Sequence, residues 1–174
     1  MSRMVRESQV SGLRERLFFA QWTLRQLNSA CELSAPRGEL LAQRAAVIFH
    51  LYSCVVGLAR QALRGHPDLL AGRQISLAEI EKSAADIHSP DLMLISEARA
   101  DRNDAISWLD QEALSLFAAS GMARRAQAPV ENALAIAAEN PDELLASGDL
   151  ERLASTVKRV QRLLDEAASL TEEW

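Results

Sequence analysis

The chain is short of most residue types that carry chemistry or staple a small fold. Among its 174 residues are 2 Cys, 3 His, 1 Tyr and 2 Lys, with only 7 Gly and 5 Pro to interrupt it. Two cysteines rule out a disulfide framework and fit a reducing compartment. No Cys-x-x-Cys or His-Glu-x-x-His motif occurs, and none of the three histidines has a glutamate three residues before it, so no metal centre is expected. Glycine-rich phosphate loops and the Gly-x-Ser-x-Gly nucleophile turn are absent as well, so no cofactor is expected. Val, Ile and Thr total 18 residues, few for a sheet protein.

What is abundant points one way. Ala contributes 29 residues and Leu 26, both favourable in helices. The expected fold is all-α: an antiparallel helical bundle of four principal helices plus short helices, forming a single helical domain over residues 1–174.

The longest mostly apolar run is Ala45 to Ala59, AAVIFHLYSCVVGLA, set between Arg44 and Arg60. It is shorter than the roughly 20 residues that a bilayer span needs. Its all-round apolar character predicts a central buried helix of a protein outside the membrane. The opening residues MSRMVRESQV contain no apolar h-region, which predicts a cytoplasmic chain.

The net charge of −5 is unevenly placed. Residues 1–75 hold 10 Arg against 5 acids, whereas residues 76–174 hold 9 Arg or Lys against 19 acids. The simplest reading is attraction between two halves folded together; a basic face for an acidic partner is the alternative. No run of five like charges exists, which argues against nucleic-acid binding. Seventeen of the 19 basic residues are Arg, read as a compositional bias.

Periodicity places the helices. Leu13, Leu17, Ala20, Leu24, Leu27 and Cys31 recur every three or four residues and define a first helix over 9–32. Phe18, Phe19 and Trp22 widen that stripe and read as core; any exposed part would be an association surface. Ser34-Ala-Pro-Arg-Gly38 breaks the helix, and a second runs from Glu39 to Arg64, stopped by Gly65-His66-Pro67. Ser76-Leu-Ala-Glu79 fits a capping box. Ser89-Pro90 opens another helix, which ends or kinks near Asp101-Arg-Asn103. A stretch to Ala119 follows, then a loop at 121–128, a helix over 129–139, a break at Asn140-Pro141, and a last helix from Asp149. In that helix Leu153, Val157, Val160, Leu164 and Ala167 form the inward stripe.

A hairpin centred near residues 35–36 sets Cys31 against Leu40 and Cys54 against Leu17. The two thiols are then roughly 20 Å apart at 1.5 Å per residue, too far for a disulfide. The same register places His50 beside Gln21 and Trp22. His50 reads as a neutral core histidine bonded to Gln21, because an unpaired buried polar group costs about 1–3 kcal/mol. Gln21, Trp22 and His50 are therefore the candidate binding residues if a pocket opens between the helices.

Helical ribonucleases of the HEPN type carry an arginine followed four to six residues later by a histidine. Arg44 with His50 and Arg60 with His66 match that spacing. Arg44 and His50 lie about 240° apart on one helix and cannot face one site. Arg60 and His66 straddle a helix end and are the candidate catalytic pair of this alternative.

The segments FFAQWTLRQL at 18–27, AAVIFHLYSCVVGLA at 45–59, SWL at 107–109 and the closing Glu-Glu-Trp resemble a family of small bacterial proteins carrying a domain of unknown function. The resemblance implies a helical, cytoplasmic bacterial protein and brings no catalytic residues with it. The leading expectation is a non-enzymatic protein acting through a protein partner or as a homo-oligomer. The alternatives are a HEPN-like ribonuclease and a small-molecule-binding bundle.

Overall fold

The computed structural model describes the backbone of residues 3–70, 76–117 and 148–172, with side chains for 12–69, 76–117 and 148–170. The described elements are all helical: α1 (Arg3–Glu32), α2 (Arg37–Ala62), α3 (Pro67–Leu70), α4 (Leu77–Ser83), α5 (Pro90–Ala100), α6 (Ala105–Leu116) and α7 (Asp149–Glu172). The expected loop at 121–128, the helix at 129–139 and the break at 140–141 lie outside the described residues.

The hairpin of α1 and α2 forms as its sequence dictates. Leu13, Leu17, Ala20, Leu24 and Leu27 are buried along α1, matching the expected stripe, and Ala30 continues it. At the turn, Ser34 adopts φ 52°, and the Ala35 N–H donates to the Ala30 carbonyl at 2.9 Å. This left-handed residue lets the chain reverse before Pro36. The two helices run antiparallel. Arg16 Nη1 donates to the Ser53 carbonyl at 2.7 Å, and Cys54 Sγ donates to the Leu13 carbonyl at 3.4 Å. These contacts fall two to four residues short of the expected register. Gly57 permits the close approach: a Cβ there would lie 2.7 Å from both Leu13 Cδ2 and Arg16 Nη1. Both cysteines are free, Cys54 buried and Cys31 half-buried.

α2 is the hub, packed against α1, α4, α5, α6 and α7. The whole 26-residue helix is long and apolar enough to cross a membrane by length and composition, although its central run alone is not. One side of it packs into the core, with 39% of its most apolar stretch buried. Val47, Ile48, Leu51, Cys54 and Val55 are fully enclosed, together with Ile80, Ile95, Ile106, Leu109, Leu153 and Leu163 from the helices around it. Each such aliphatic side chain contributes about 1.5–3 kcal/mol by leaving water.

The shorter helices carry the expected end signals. Ser76 Oγ accepts from the Glu79 N–H at 3.2 Å at the start of α4, and Pro90 opens α5. The boundary near Asp101–Asn103 is a true break, because Asp104 caps α6 by accepting the Ile106 N–H at 2.8 Å. α7 begins at Asp149 and buries Leu153, Val157, Val160, Leu164 and Ala167 as its periodicity predicts.

Three arginines tie acids of α6 and its cap to the rest of the fold. From α2, Arg44 Nε and Nη2 clamp both carboxylate oxygens of Asp149 at 2.6 and 3.0 Å, and Nη2 also reaches Glu112 at 2.9 Å. From α5, Arg99 Nε donates to Asp110 at 2.7 Å and Nη1 to Glu81 at 2.5 Å. From α7, Arg159 Nε donates to Asp104 at 2.8 Å. The forked guanidinium geometry is what makes arginine suited to such bridges. These three arginines thus have specific structural work, beyond the compositional bias read from the sequence. Arg44 also joins the basic half of the chain to the acidic half, as the charge distribution suggested.

Tyr52 closes the second of these networks. Its hydroxyl donates to Asp110 Oδ1 at 2.9 Å and accepts the Leu77 N–H at 3.0 Å. Burial, as the largest effect, with Asp110 alongside, pushes this phenol well above its ordinary range.

Candidate functional site: an exposed aromatic face on the first two helices

Phe18, Phe19 and Trp22 are not core. They are exposed by 53%, 40% and 51%, and Phe49 of α2 by 54%. The reason is geometric. At about 100° per residue, Trp22 lies roughly 200° around α1 from Ala20, so filling the inward stripe turns the aromatics outward. Phe18 and Trp22 stand four residues apart on one outer line, while Phe19 is displaced toward α2. On α2, Phe49 and His50 follow the buried pair Val47 and Ile48 and precede the buried Leu51 and Tyr52. They occupy the angular window that faces away from the core.

The rings form a connected cluster. The Phe18 and Phe19 centroids are 6.1 Å apart, Phe19 and His50 5.6 Å, and His50 and Phe49 5.8 Å. His50 therefore sits between two phenylalanines, half-buried rather than in the core. Its register partner is Phe19 in place of the expected Gln21 and Trp22, a consequence of the shifted hairpin. Among the described residues no side chain hydrogen-bonds its imidazole. Partial burial beside phenyl rings lowers its pKa, so the neutral form is favoured. Gln21 is half-buried next to this cluster in sequence, and Trp22 is on its outer edge.

α2 is thus apolar all round, as its sequence suggested, but not buried all round. One side is core; the other joins α1 in an uncharged face. Between Ala45 and Ala59 α2 carries no charge. On α1 the aromatics are flanked by exposed Glu15 on one side and exposed Arg25 on the other. Among the described residues neither has an ion-pair partner, in contrast to Arg44, Arg99 and Arg159.

The other candidates behave differently. Arg44 is committed inward to Asp149 and Glu112, so it offers nothing to His50. Arg60 lies in the last turn of α2, while His66 is exposed beyond its end, where its N–H donates to the Leu63 carbonyl at 2.9 Å. Among the described residues no three His, Cys, Asp or Glu side chains gather to hold a metal ion. An open hollow of about 330 Å³ is lined by His88, Pro90, Met93, Leu94, Glu97 and Leu170, and by none of Gln21, Trp22 and His50.

Sequence reasoning singled out Phe18, Phe19 and Trp22 but read them as core, and it did not single out Phe49 of α2. The usable signal was angular. Assigning Leu17, Ala20, Leu24 and Leu27 to the core leaves Phe18 and Trp22 nowhere inward to go. The α6 acids were missed altogether, although Asp110 falls on the line of Ile106 and Ala113, where an acid needs a buried partner.

No protein-family model, no curated protein and no solved structure matches this chain. The functional reading therefore rests on the geometry of the chain itself.

Proposed function

We propose that the protein is a non-enzymatic binding module that docks a protein surface on the aromatic face of α1 and α2. The observation that carries this reading is the connected cluster of Phe18, Phe19, Phe49 and His50, with Trp22 beside it, all on one surface. At 150–250 Å² per aromatic side chain, four half-exposed rings present on the order of 400 Å² of apolar surface. A patch of this size matches the largest apolar patch of a typical monomer, about 300–600 Å², and such patches often serve a function. Aromatic residues at the centre of a patch, with charges at its rim, are also the composition of binding hot spots.

Chemistry is less well supported. Buried Tyr52 and Asp110 and half-buried Arg99 and Glu81 are linked by hydrogen bonds that tie α2, α4, α5 and α6 together and serve the fold. The proposed setting is cytoplasmic and bacterial, as the sequence resemblance implies, and this adds no reaction.

The test is a photoreactive phenylalanine analogue placed at position 18, 22 or 49, with Leu33, exposed by 81% at the hairpin turn, as the control position. Crosslinking in the native cell is expected at the three aromatic positions and not at 33. Absence of adducts at all three positions, in cells and in concentrated purified protein, sinks the reading.

A further inference from the structure

The aromatic face has a symmetry that identifies its occupant, given the docking reading above. Its centre along α1 is residue 20, midway between Phe18 and Trp22. The hairpin contacts Arg16 with Ser53 and Phe19 with His50 put Phe49 at that same height on α2. All four aromatics of the face therefore occupy one level of the hairpin. Glu15 and Arg25 lie five residues to either side of residue 20, about 7.5 Å along the axis in each direction.

From this we infer that the face is covered by a second copy of the chain, with the two α1 helices packed antiparallel about a two-fold axis at residue 20. In that register Phe18 of each copy meets Trp22 of the other. Glu15 of each copy meets Arg25 of the other, twice, and Arg14 meets the neutral Gln26. Glu15 and Arg25, exposed and without an ion-pair partner among the described residues of one chain, then pair across the interface. A two-fold interface requires such self-complementarity, and a face built for an unrelated partner has no reason to possess it. On the α2 side the helix itself carries no charge from Ala45 to Ala59, and the one guanidinium laid across it, that of Arg16, is bonded to the Ser53 carbonyl. The roughly 400 Å² of aromatic surface is half of the 800 Å² or so that each partner buries in a standard interface, which leaves the remainder for the rim of Glu15, Arg25 and Gln26.

The register is tested by charge reversal at two exposed positions, with helicity monitored by circular dichroism. Light scattering and sedimentation of the purified chain at about 100 µM should give twice the monomer mass. Glu15→Arg alone and Arg25→Glu alone should each weaken the dimer about tenfold, because each creates two like-charge contacts. An equimolar mixture of the two variants should dimerise like the unaltered protein. In the mixed dimer one copy carries arginine at both positions and the other glutamate at both, so each 15-to-25 contact again joins opposite charges. A monomer at 100 µM overturns the inference, as do single variants that dimerise normally or a mixture that fails to recover. Photocrosslinking at position 18 separates this failure from failure of the docking reading. Adducts solely with other proteins overturn the second copy and leave the docking face standing; absence of any adduct removes both.

Discussion

The two sides of α2 solve opposite problems. Toward α6 and α7, Tyr52 and Arg44 enter polar networks in which carboxylates, guanidinium groups and the tyrosine hydroxyl find partners at 2.5–3.0 Å. Toward solvent, Phe49 and His50 join α1 in a surface where rings touch rings and the nearby charges have no mate. On the first side one buried oxygen, Glu81 Oε1, is left without a hydrogen-bond partner among the described residues, and the rest of the Arg99 network is bonded. The second leaves apolar area in water, which is unfavourable for a lone chain and useful to an interface, while its exposed rim charges stay solvated. A bonded polar network on one side and an uncovered apolar face on the other, within one helix, separate the structural part of the chain from the part proposed to bind.

The largest break in that contrast is expected from Asp110→Ala. Asp110 is 6% exposed and serves both Tyr52 and Arg99, so its removal leaves a guanidinium and a buried hydroxyl short of an acceptor. Losing one member of a buried ionic network costs about 3 kcal/mol. For a chain of this size that lowers the melting temperature by roughly 6–12 °C, readable by calorimetry.

Arg44→Met should cost somewhat less, about 2–3 kcal/mol: buried Asp149 loses its clamp, but it sits at the N-terminus of α7, whose dipole favours its charge, and Glu112 remains partly solvated. The same variant should leave crosslinking at position 18 unchanged, which sharpens the division between the two sides. A loss of crosslinking equal to the loss of stability would show that the sides are coupled.

The smallest effect concerns His50. Its pKa is lowered in the folded protein by partial burial, so the folded state resists protonation more than the unfolded chain does. The contribution is fully present above the ordinary value of about 6.5 and is lost as pH falls through the lowered folded value. His50→Gln should flatten the decline in chemical-denaturation stability below pH 6.5, by the smallest margin of the three variants. Covering the face deepens the burial, so at concentrations where the chain self-associates the pH dependence of the unaltered protein should steepen. An unchanged profile at low and high concentration would mean that His50 lies outside the contact.

The sequence was informative where structure is local. The stripe from Leu13 to Leu27, the stop at Gly65, the serine at Ser76 and the stripe from Leu153 to Ala167 each involve neighbours within a turn or two of helix, and their spacing alone places them. The candidate site was legible in identity but not in direction. Phe18, Phe19, Trp22 and His50 stood out as residues, yet hydrophobicity says only that a ring prefers to leave water, not which surface will take it from water. The arginine bridges were not legible. Arg44 and Asp149 are 105 residues apart, and nothing in either segment names the other.

By itself, then, the sequence determined that the chain is helical, where most of the described helices begin and end, and that α1 and α2 form a hairpin. These follow from short-range periodicity, capping and turn chemistry. Only the tertiary structure decided which side of α2 faced the core, which arginines met which acids, and that Phe18, Phe19, Trp22 and Phe49 stayed outside. The physical reason is that burial is a competition for limited interior space. The aliphatic stripes of the described helices filled that space, and the rings set on the opposite line of α1 and α2 were left to find their cover elsewhere.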